Sequence, residues 1–276
     1  MPRPTFDLQS HSTHSDGALP PGEVVARAAA DGVEFLALTD HDSVQGVAEA
    51  AAAARAHGLR LLPAAEISAV SGDREDLHVL GYGIDYTDLV LGERLEDARA
   101  DRGRRIAIMA DRLRELGWEI DESRLEVEGA LGRPHLARAV LEHPANAARL
   151  AAEDVATADL FFPVYLVPGA QAYVPRSHPT VAEAVGWIHD AGGAAVWAHP
   201  FWDVDDARAV TDLLGHFDGV EAFYITHTRE QTLLLAGEAQ RRGVLATGSS
   251  DFHGPDHARF SRFRAFALFG AEPRLP

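Results

Sequence analysis

Two residue types are missing from the 276-residue chain. There is no cysteine, and all 25 basic side chains are arginine, so there is no lysine either. Without cysteine, disulfides, thiolate metal sites and a cysteine nucleophile are excluded. Any transition metal must then be held by His, Asp and Glu. Long apolar runs are missing too: nothing approaches a membrane span, and Met1–Leu8 carries one Arg and no stretch of signal-peptide length. The expectation is a cytoplasmic protein with no membrane partner. Positive charge is scarce, with 42 acidic against 25 basic residues and a net charge of −17. Such a chain does not coat itself with nucleic acid non-specifically, and no stable DNA complex is expected. If it handles phosphates, positive charge must be supplied locally, by metal or by clustered arginines, whose planar forks suit phosphate oxygens.

What is present is ordinary globular composition, 46% apolar and 24% charged, with 14 His. It excludes wholesale disorder and allows one large domain or two small ones. The first third alternates strands and helices. Thr5–Leu8, Val33–Leu38, Leu59–Leu62 and Leu77–Tyr82 read as strands. Pro20-Pro21-Gly22-Glu23 reads as a helix start followed by Val24–Ala30, and Val47–His57 reads as a helix closed by Gly58. Near residue 90 the rhythm changes to a long charged helix, Leu91–Leu116, then short helices at Leu136–Leu141 and Asn146–Ala151 and an irregular exit at Asp159–Arg176. It resumes with a helix at Thr180–Ala191, strands at Ala194–Trp197, Gly219–Phe223 and Val244–Thr247, and helices at Val204–Leu214 and Glu230–Arg242. The division expected is a barrel domain formed by 1–91 and 177–276, interrupted by a mainly helical, substrate-capping subdomain at 92–176.

The chemistry lies in where His and carboxylates fall. His11, His14 and Asp16 follow strand one; Asp40, His41 and Asp42 follow strand two; Glu66 follows strand three; His78 is on or beside strand four. His199 follows a later strand, and Asp251 and His253 follow the last. Active sites of α/β barrels and sheets form at strand C-terminal ends. Imidazole plus carboxylate without thiolate suits Mn²⁺, Fe²⁺ or Zn²⁺. So many ligands imply more than one ion, an arrangement suited to phosphoester hydrolysis.

The motifs run in order along nearly the whole chain: Asp7-Leu8-Gln9-Ser10-His11-Ser12-Thr13 with Ser15-Asp16-Gly17, Leu38-Thr39-Asp40-His41-Asp42, Glu66-Ile67-Ser68, His78, Gly132-Arg133-Pro134-His135, Ala172-Tyr173-Val174-Pro175-Arg176, Ala198-His199-Pro200 and Ser249-Ser250-Asp251-Phe252-His253-Gly254. On these the chain resembles the polymerase and histidinol phosphatase (PHP) superfamily of metal-dependent phosphoesterases. Within it, the chain most resembles the group of nucleoside 3′,5′-bisphosphate phosphatases and 5′→3′ exoribonucleases. The resemblance implies an α/β fold, a distorted seven-stranded β/α barrel with a helical insertion. It also implies two to three divalent ions, manganese foremost, with Fe, Zn or Mg as alternatives. One ion would be held by Gln9, His11, Glu66 and Asp251; a second by Asp16, His41 and His253; a third by His78 and His199, with Glu66 bridging. Gln9 departs from the family's His-x-His pattern.

The implied substrate is a small phosphorylated nucleotide or a short RNA end. Arg102, Arg105, Arg133, His135 and Arg176 are the residues expected to touch it, and Asp16, His41 and His253 are candidates for proton transfer. A histidinol-phosphate-type phosphatase is one alternative. A nucleotide-binding domain weakened by Gln9 is the other. Phe161, Phe162 and Tyr165 are candidates either for base stacking or for the insert core.

Overall fold

The computed structural model describes residues 4–72, 74–126, 131–176, 179–202, 204 and 206–276. Seven strands form one sheet in chain order: β1 (Phe6–Asp7), β2 (Phe35–Leu38), β3 (Arg60–Ser71), β4 (Arg74–Tyr82), β5 (Ala194–Trp197), β6 (Gly219–Tyr224) and β7 (Leu245–Ser249). β1–β3 are parallel, β4 is antiparallel to both β3 and β5, and β5–β7 are parallel again. The ends of the sheet meet. The Leu8 amide donates to Gly248 O at 3.1 Å, and a parallel bridge joins Ser10 to Phe252. This is the expected distorted barrel, and its closure is what brings the first and last motifs together.

Around it lie α1 (Pro21–Ala30), α2 (Val47–His57), α3 (Leu89–Glu115), α4 (Arg133–Leu141), α5 (Ala147–Ala152), α6 (Ala158–Tyr165), α7 (Val181–Asp190), α8 (Ala207–Leu213) and α9 (Arg229–Arg242). Local sequence sets their ends. Gly58 and Gly243 take left-handed conformations after α2 and α9. Thr180 with Glu183, and Thr228 with Gln231, form capping boxes at the starts of α7 and α9. None of these helices is long and apolar enough to cross a membrane.

Two elements differ from the expectation. β3 does not stop at Leu62; it continues through Glu66, so Glu66 is inside a strand rather than after one. Glu66 pairs with Leu80, two residues along from the Ser68–His78 pair, so Glu66, Ser68 and His78 share a face of the β3–β4 hairpin. Ala158–Tyr165, inside the stretch expected to be irregular, is a helix that tolerates Pro163 near its end. Burial of Phe161 and Tyr165 holds it. Their rings stack at 4.7 Å, and both meet Trp118 edge-on at 5.5–5.6 Å. These two aromatics are therefore core. They belong to an apolar cluster running from Ile106 to Tyr173, separate from the cluster between the sheet and its outer helices.

One buried imidazole links the fold to pH. Burial pushes the His227 pKa down to about 4, and its Nδ1–H donates to Ala222 O at 3.2 Å. The ordinary value is about 6.5, so below pH 6.5 the unfolded chain binds a proton that the folded chain refuses. Stability present above pH 6.5 is therefore lost as pH falls towards 4, by about 2 kcal/mol at pH 5 from this group. Urea midpoints of the wild-type protein and His227→Gln at pH 7 and pH 5 check this. The acid-induced drop should be smaller in the variant.

Candidate metal centre

Each ligand-type side chain is positioned by its own stretch of sequence. Asp40 is not in the cluster. It accepts from the Ser12 amide, Ser12 Oγ and Ser15 Oγ, each at 2.7 Å, and so shapes the loop carrying His11 and Asp16. Gly17 is required in that loop, because a Cβ there would sit 2.3 Å from His11 O. Asp7 does the same at the other end of the barrel seam. It accepts from Ser250 N, Ser250 Oγ and Arg264 N, which fixes the turn before Asp251. Three residues at or beside the centre, Asp42, His199 and Asp251, have positive φ of 49°, 29° and 53°. Non-glycine residues rarely adopt such angles, which concentrate at functional sites.

Glu66 is fully buried at the middle. Its Oε1 lies 2.7 Å from His78 Nδ1 and 3.3 Å from His199 Nε2; its Oε2 lies 3.1 Å from His11 Nε2 and 3.6 Å from His41 Nδ1. Asp251 Oδ1 is 3.1 Å from His11 Nε2. Asp16 lies 3.4 Å from His253 Nε2, 3.6 Å from His11 Nδ1 and 3.7 Å from His41 Nε2. Among the described residues, three groups have ligand atoms within 4.8 Å of one another: His11, Asp16, His41 and His253; His41, Glu66 and His78; and His11, Glu66 and Asp251. His199 touches the cluster through Glu66 and through His78 Nδ1, at 3.3 Å each. His14 joins none of these groups and packs near Gly46.

The donor set fits divalent cations. His11 Nε2, Asp16 Oδ1, His41 Nδ1 and Asp251 Oδ1 are buried without an aligned hydrogen bond among the described residues. Burial alone would raise all three carboxyls, yet they are held down. His253 and His41 keep Asp16 well below the usual range, and His41 and His78 do so for Glu66. His253 and His11 bring Asp251 to about 2. Three ionised carboxylates converge in a buried space with imidazole nitrogens and no thiolate, a combination that calls for hard or borderline cations.

Gln9 is fully buried here, but its amide nitrogen donates to Glu66 Oε2 at 3.0 Å while its oxygen accepts from Ser249 Oγ at 3.3 Å. This differs from the expected carboxamide ligand: Gln9 braces Glu66 from behind. Gln9→Ala is therefore expected to weaken metal binding by about 10–100-fold, as loss of an outer-shell partner does. Titration of the chelated protein with Mn²⁺ checks it.

Sequence reasoning passed over three residues. Tyr224, at the end of β6, donates to Asp251 Oδ2 at 2.8 Å. Ser249 donates to Glu221 Oε1 at 2.5 Å, and Glu221 Oε2 accepts from the His199 amide at 2.9 Å. Burial raises the Glu221 pKa to about 8. The available signal was the place of Tyr224 and Ser249 at the ends of β6 and β7, where His and carboxylates from other strands also fall; Glu221 is inside β6 and gave none.

The expected substrate residues separate. Arg133 lines the same cavity as His41, Glu66, His78, His199, Asp251 and His253, and it donates to Leu166 O at 3.0 Å. Arg102 reaches Asp42 Oδ2 at 2.9 Å and also bonds Ser68 Oγ; Arg176 donates to Ser68 O at 3.3 Å. Both flank the loop next to His41. His135 is half-buried and turns Nδ1 to the Gly132 amide as part of the α4 cap. Arg105 departs from the expectation: its Nε and one terminal nitrogen both donate to Val174 O, so it clamps α3 to the exit of the helical segment. Arg104 and Arg114 make exposed ion pairs with Asp101 and Asp111, as interleaved charges on a helix do, and Arg94 pairs across to Asp190 of α7.

Comparison with known proteins agrees with this geometry. A model of the PHP domain matches residues 7–151. The chain is 36% identical to a 3′,5′-nucleoside bisphosphate phosphatase of Chromobacterium violaceum, covering 91% of this chain and 87% of that one. It is 34% identical to a 5′-3′ exoribonuclease of Escherichia coli, covering 91% and 85%. Among solved structures it is similar to an amidohydrolase from Chromobacterium violaceum with bound sulfate. There the TM-score is 0.80 at 33% identity, covering 94% of this chain and 91% of that one.

Proposed function

The chain belongs to the PHP domain family, and from that premise we propose that it releases phosphate from nucleoside 3′,5′-bisphosphates and trims the 5′ ends of short RNAs. It is a metal-dependent phosphoesterase, a hydrolase of phosphoester bonds. The observation that carries the substrate reading is the near end-to-end likeness to a nucleoside bisphosphate phosphatase and a 5′-3′ exoribonuclease, in a chain that also places Arg133 on the wall of the metal cavity. The histidinol-phosphate alternative has no such support. A weakened binding domain is disfavoured, because every expected ligand position other than Gln9 keeps its His or carboxylate.

The proposed ligands are His11, Glu66 and Asp251; Asp16, His41 and His253; and His78 and His199, with Glu66 shared. Manganese is the cation we favour, on the mixed imidazole and carboxylate donors. Bound there, divalent ions supply Lewis acidity at the phosphate oxygens and a water acidic enough to act as nucleophile near neutral pH. Glu66, fully buried, fixes the spacing of the cluster. Tyr224 and Gln9 hold Asp251 and Glu66 in register. Asp16 is the most exposed of the three carboxylates, with 17% of its side chain accessible. With His41 and His253 it forms the side from which a proton reaches the leaving oxygen.

Arg133 neutralises the equatorial phosphate oxygens, Arg102 and Arg176 supply positive potential at the rim, and His135, whose pKa burial lowers, offers a neutral N–H donor there. Residues 92–176 act as the cap that carries most of these groups; the boundary after 176 abuts residues 177–178, which lie outside the described residues. A cytoplasmic location, where such nucleotides and RNA ends occur, is part of the same proposal.

A substrate panel tests the reading. Phosphate release from a nucleoside 3′,5′-bisphosphate should exceed that from histidinol phosphate by orders of magnitude in kcat/KM. The reverse order would sink it.

A further inference from the structure

The cavity bounded by the metal ligands is small, about 150 Å³. That is below the roughly 300–1,000 Å³ of ordinary small-molecule sites. It holds a phosphoryl group and leaves no room for a nucleoside. A second cavity of about 810 Å³ adjoins it, and the two share Arg133, Trp202 and Phe260. The border is aromatic. Trp202 and Phe260 lie 6.0 Å apart, Phe260 is 5.4 Å from the ring of His253, and Trp202 meets His199 edge-on at 6.4 Å. Trp202 is 49% exposed, an unusual state for the largest apolar side chain.

Beyond the border the larger cavity is lined by Phe162, Arg74 and Arg259. The Arg259 guanidinium sits 5.3 Å over the Trp202 ring, and Arg74 has a buried terminal nitrogen that makes no hydrogen bond among the described residues. Three arginines therefore converge on one groove of a chain whose net charge is −17.

We propose that this groove binds single-stranded RNA leading away from the scissile phosphate. The first nucleoside stacks at Trp202 and Phe260, and the next backbone phosphate pairs with Arg259 and Arg74. Exposed aromatics beside cations on a continuous path are what single-stranded nucleic acid requires, because every base offers a π-face and every linkage a charge. A mononucleotide fills only the border. An oligonucleotide uses the whole groove. The inference rests on the nucleotide reading above and adds a preference for oligonucleotides, with the residues that set it.

The test uses the full-length, metal-loaded enzyme and three substrates: p-nitrophenyl phosphate, a nucleoside 3′,5′-bisphosphate and a 5′-phosphorylated RNA trinucleotide. Trp202→Ala should lower kcat/KM for both nucleotides, relative to p-nitrophenyl phosphate, by about 10–100-fold, the range of base–aromatic stacking. Arg259→Ala and Arg74→Ala should each lower the ratio of trinucleotide to bisphosphate kcat/KM by about tenfold, as expected for a lost charged hydrogen bond. They should also flatten the salt dependence of the trinucleotide reaction. Ratios within about twofold of wild type in all three variants would overturn the groove. A wild-type enzyme that hydrolyses p-nitrophenyl phosphate but neither nucleotide would instead overturn the substrate reading on which the groove rests, so the two failures are distinguishable.

Discussion

Glu66→Gln should abolish turnover, with kcat reduced on the order of 10³-fold or more, and should release more metal than any other single substitution in the cluster. The reason is position. Glu66 belongs to two of the three ligand groups, and its two oxygens approach four imidazoles at 2.7–3.6 Å. Glutamine keeps the volume and one acceptor but removes a buried negative charge between ions that repel each other. The same change should not unfold the chain, because Glu66 lies on a strand whose pairing is backbone-mediated from Ala64 to Ala69. Elemental analysis should show loss of about two ions per chain relative to wild type, beside a melting temperature taken after chelation. Full metal content in the variant would contradict the bridging role.

Asp16→Asn should be nearly as damaging to turnover, by about 10²–10³-fold, yet should release only one ion. Asp16 belongs to a single group, with His11, His41 and His253. It is also the most exposed carboxylate of the cluster, so on the proposed roles losing its charge removes both a cation contact and a route for the leaving-group proton. The contrast between the two variants is the informative quantity. A two-ion loss with Glu66→Gln and a one-ion loss with Asp16→Asn is the pattern of a cluster organised around one bridging carboxylate. Equal losses would mean that the ions bind as an indivisible unit, and the assignment of groups would fail.

Much of this cluster was readable from sequence because its His and carboxylates come from strand ends, where a polar residue after an apolar run has few structural duties. His11, Asp16, His41, His199, Asp251 and His253 were all visible in that way. α2, a run of alanines closed by Gly58, was legible to the residue.

What was not legible depended on partners distant in sequence. The sequence pattern ends this strand at Leu62, yet β3 runs on to Ser71 because β4 pairs with it, and β4 runs the other way because no helix intervenes. Ala158–Tyr165 is helical despite Pro163 because Trp118, some forty residues earlier, buries Phe161 and Tyr165. Arg105 carries the same charge as Arg102 three residues before it, but the helix turns it to Val174 O and turns Arg102 to Asp42. Gln9 looked like a poor ligand, and its role is set by Ser249, 240 residues away. Asp7 and Asp40 sit in the motifs among the ligands and are scaffold: each is saturated by hydroxyl and amide donors.

The most direct test of the account is metal content measured beside phosphate release on a single preparation. The His and carboxylate cluster is predicted to carry up to three divalent ions per chain, one for each ligand group. Chelation should remove them and stop hydrolysis of a nucleoside 3′,5′-bisphosphate, and Mn²⁺ should restore both in proportion. A chelated protein free of divalent metal that still releases phosphate at the original rate would contradict it.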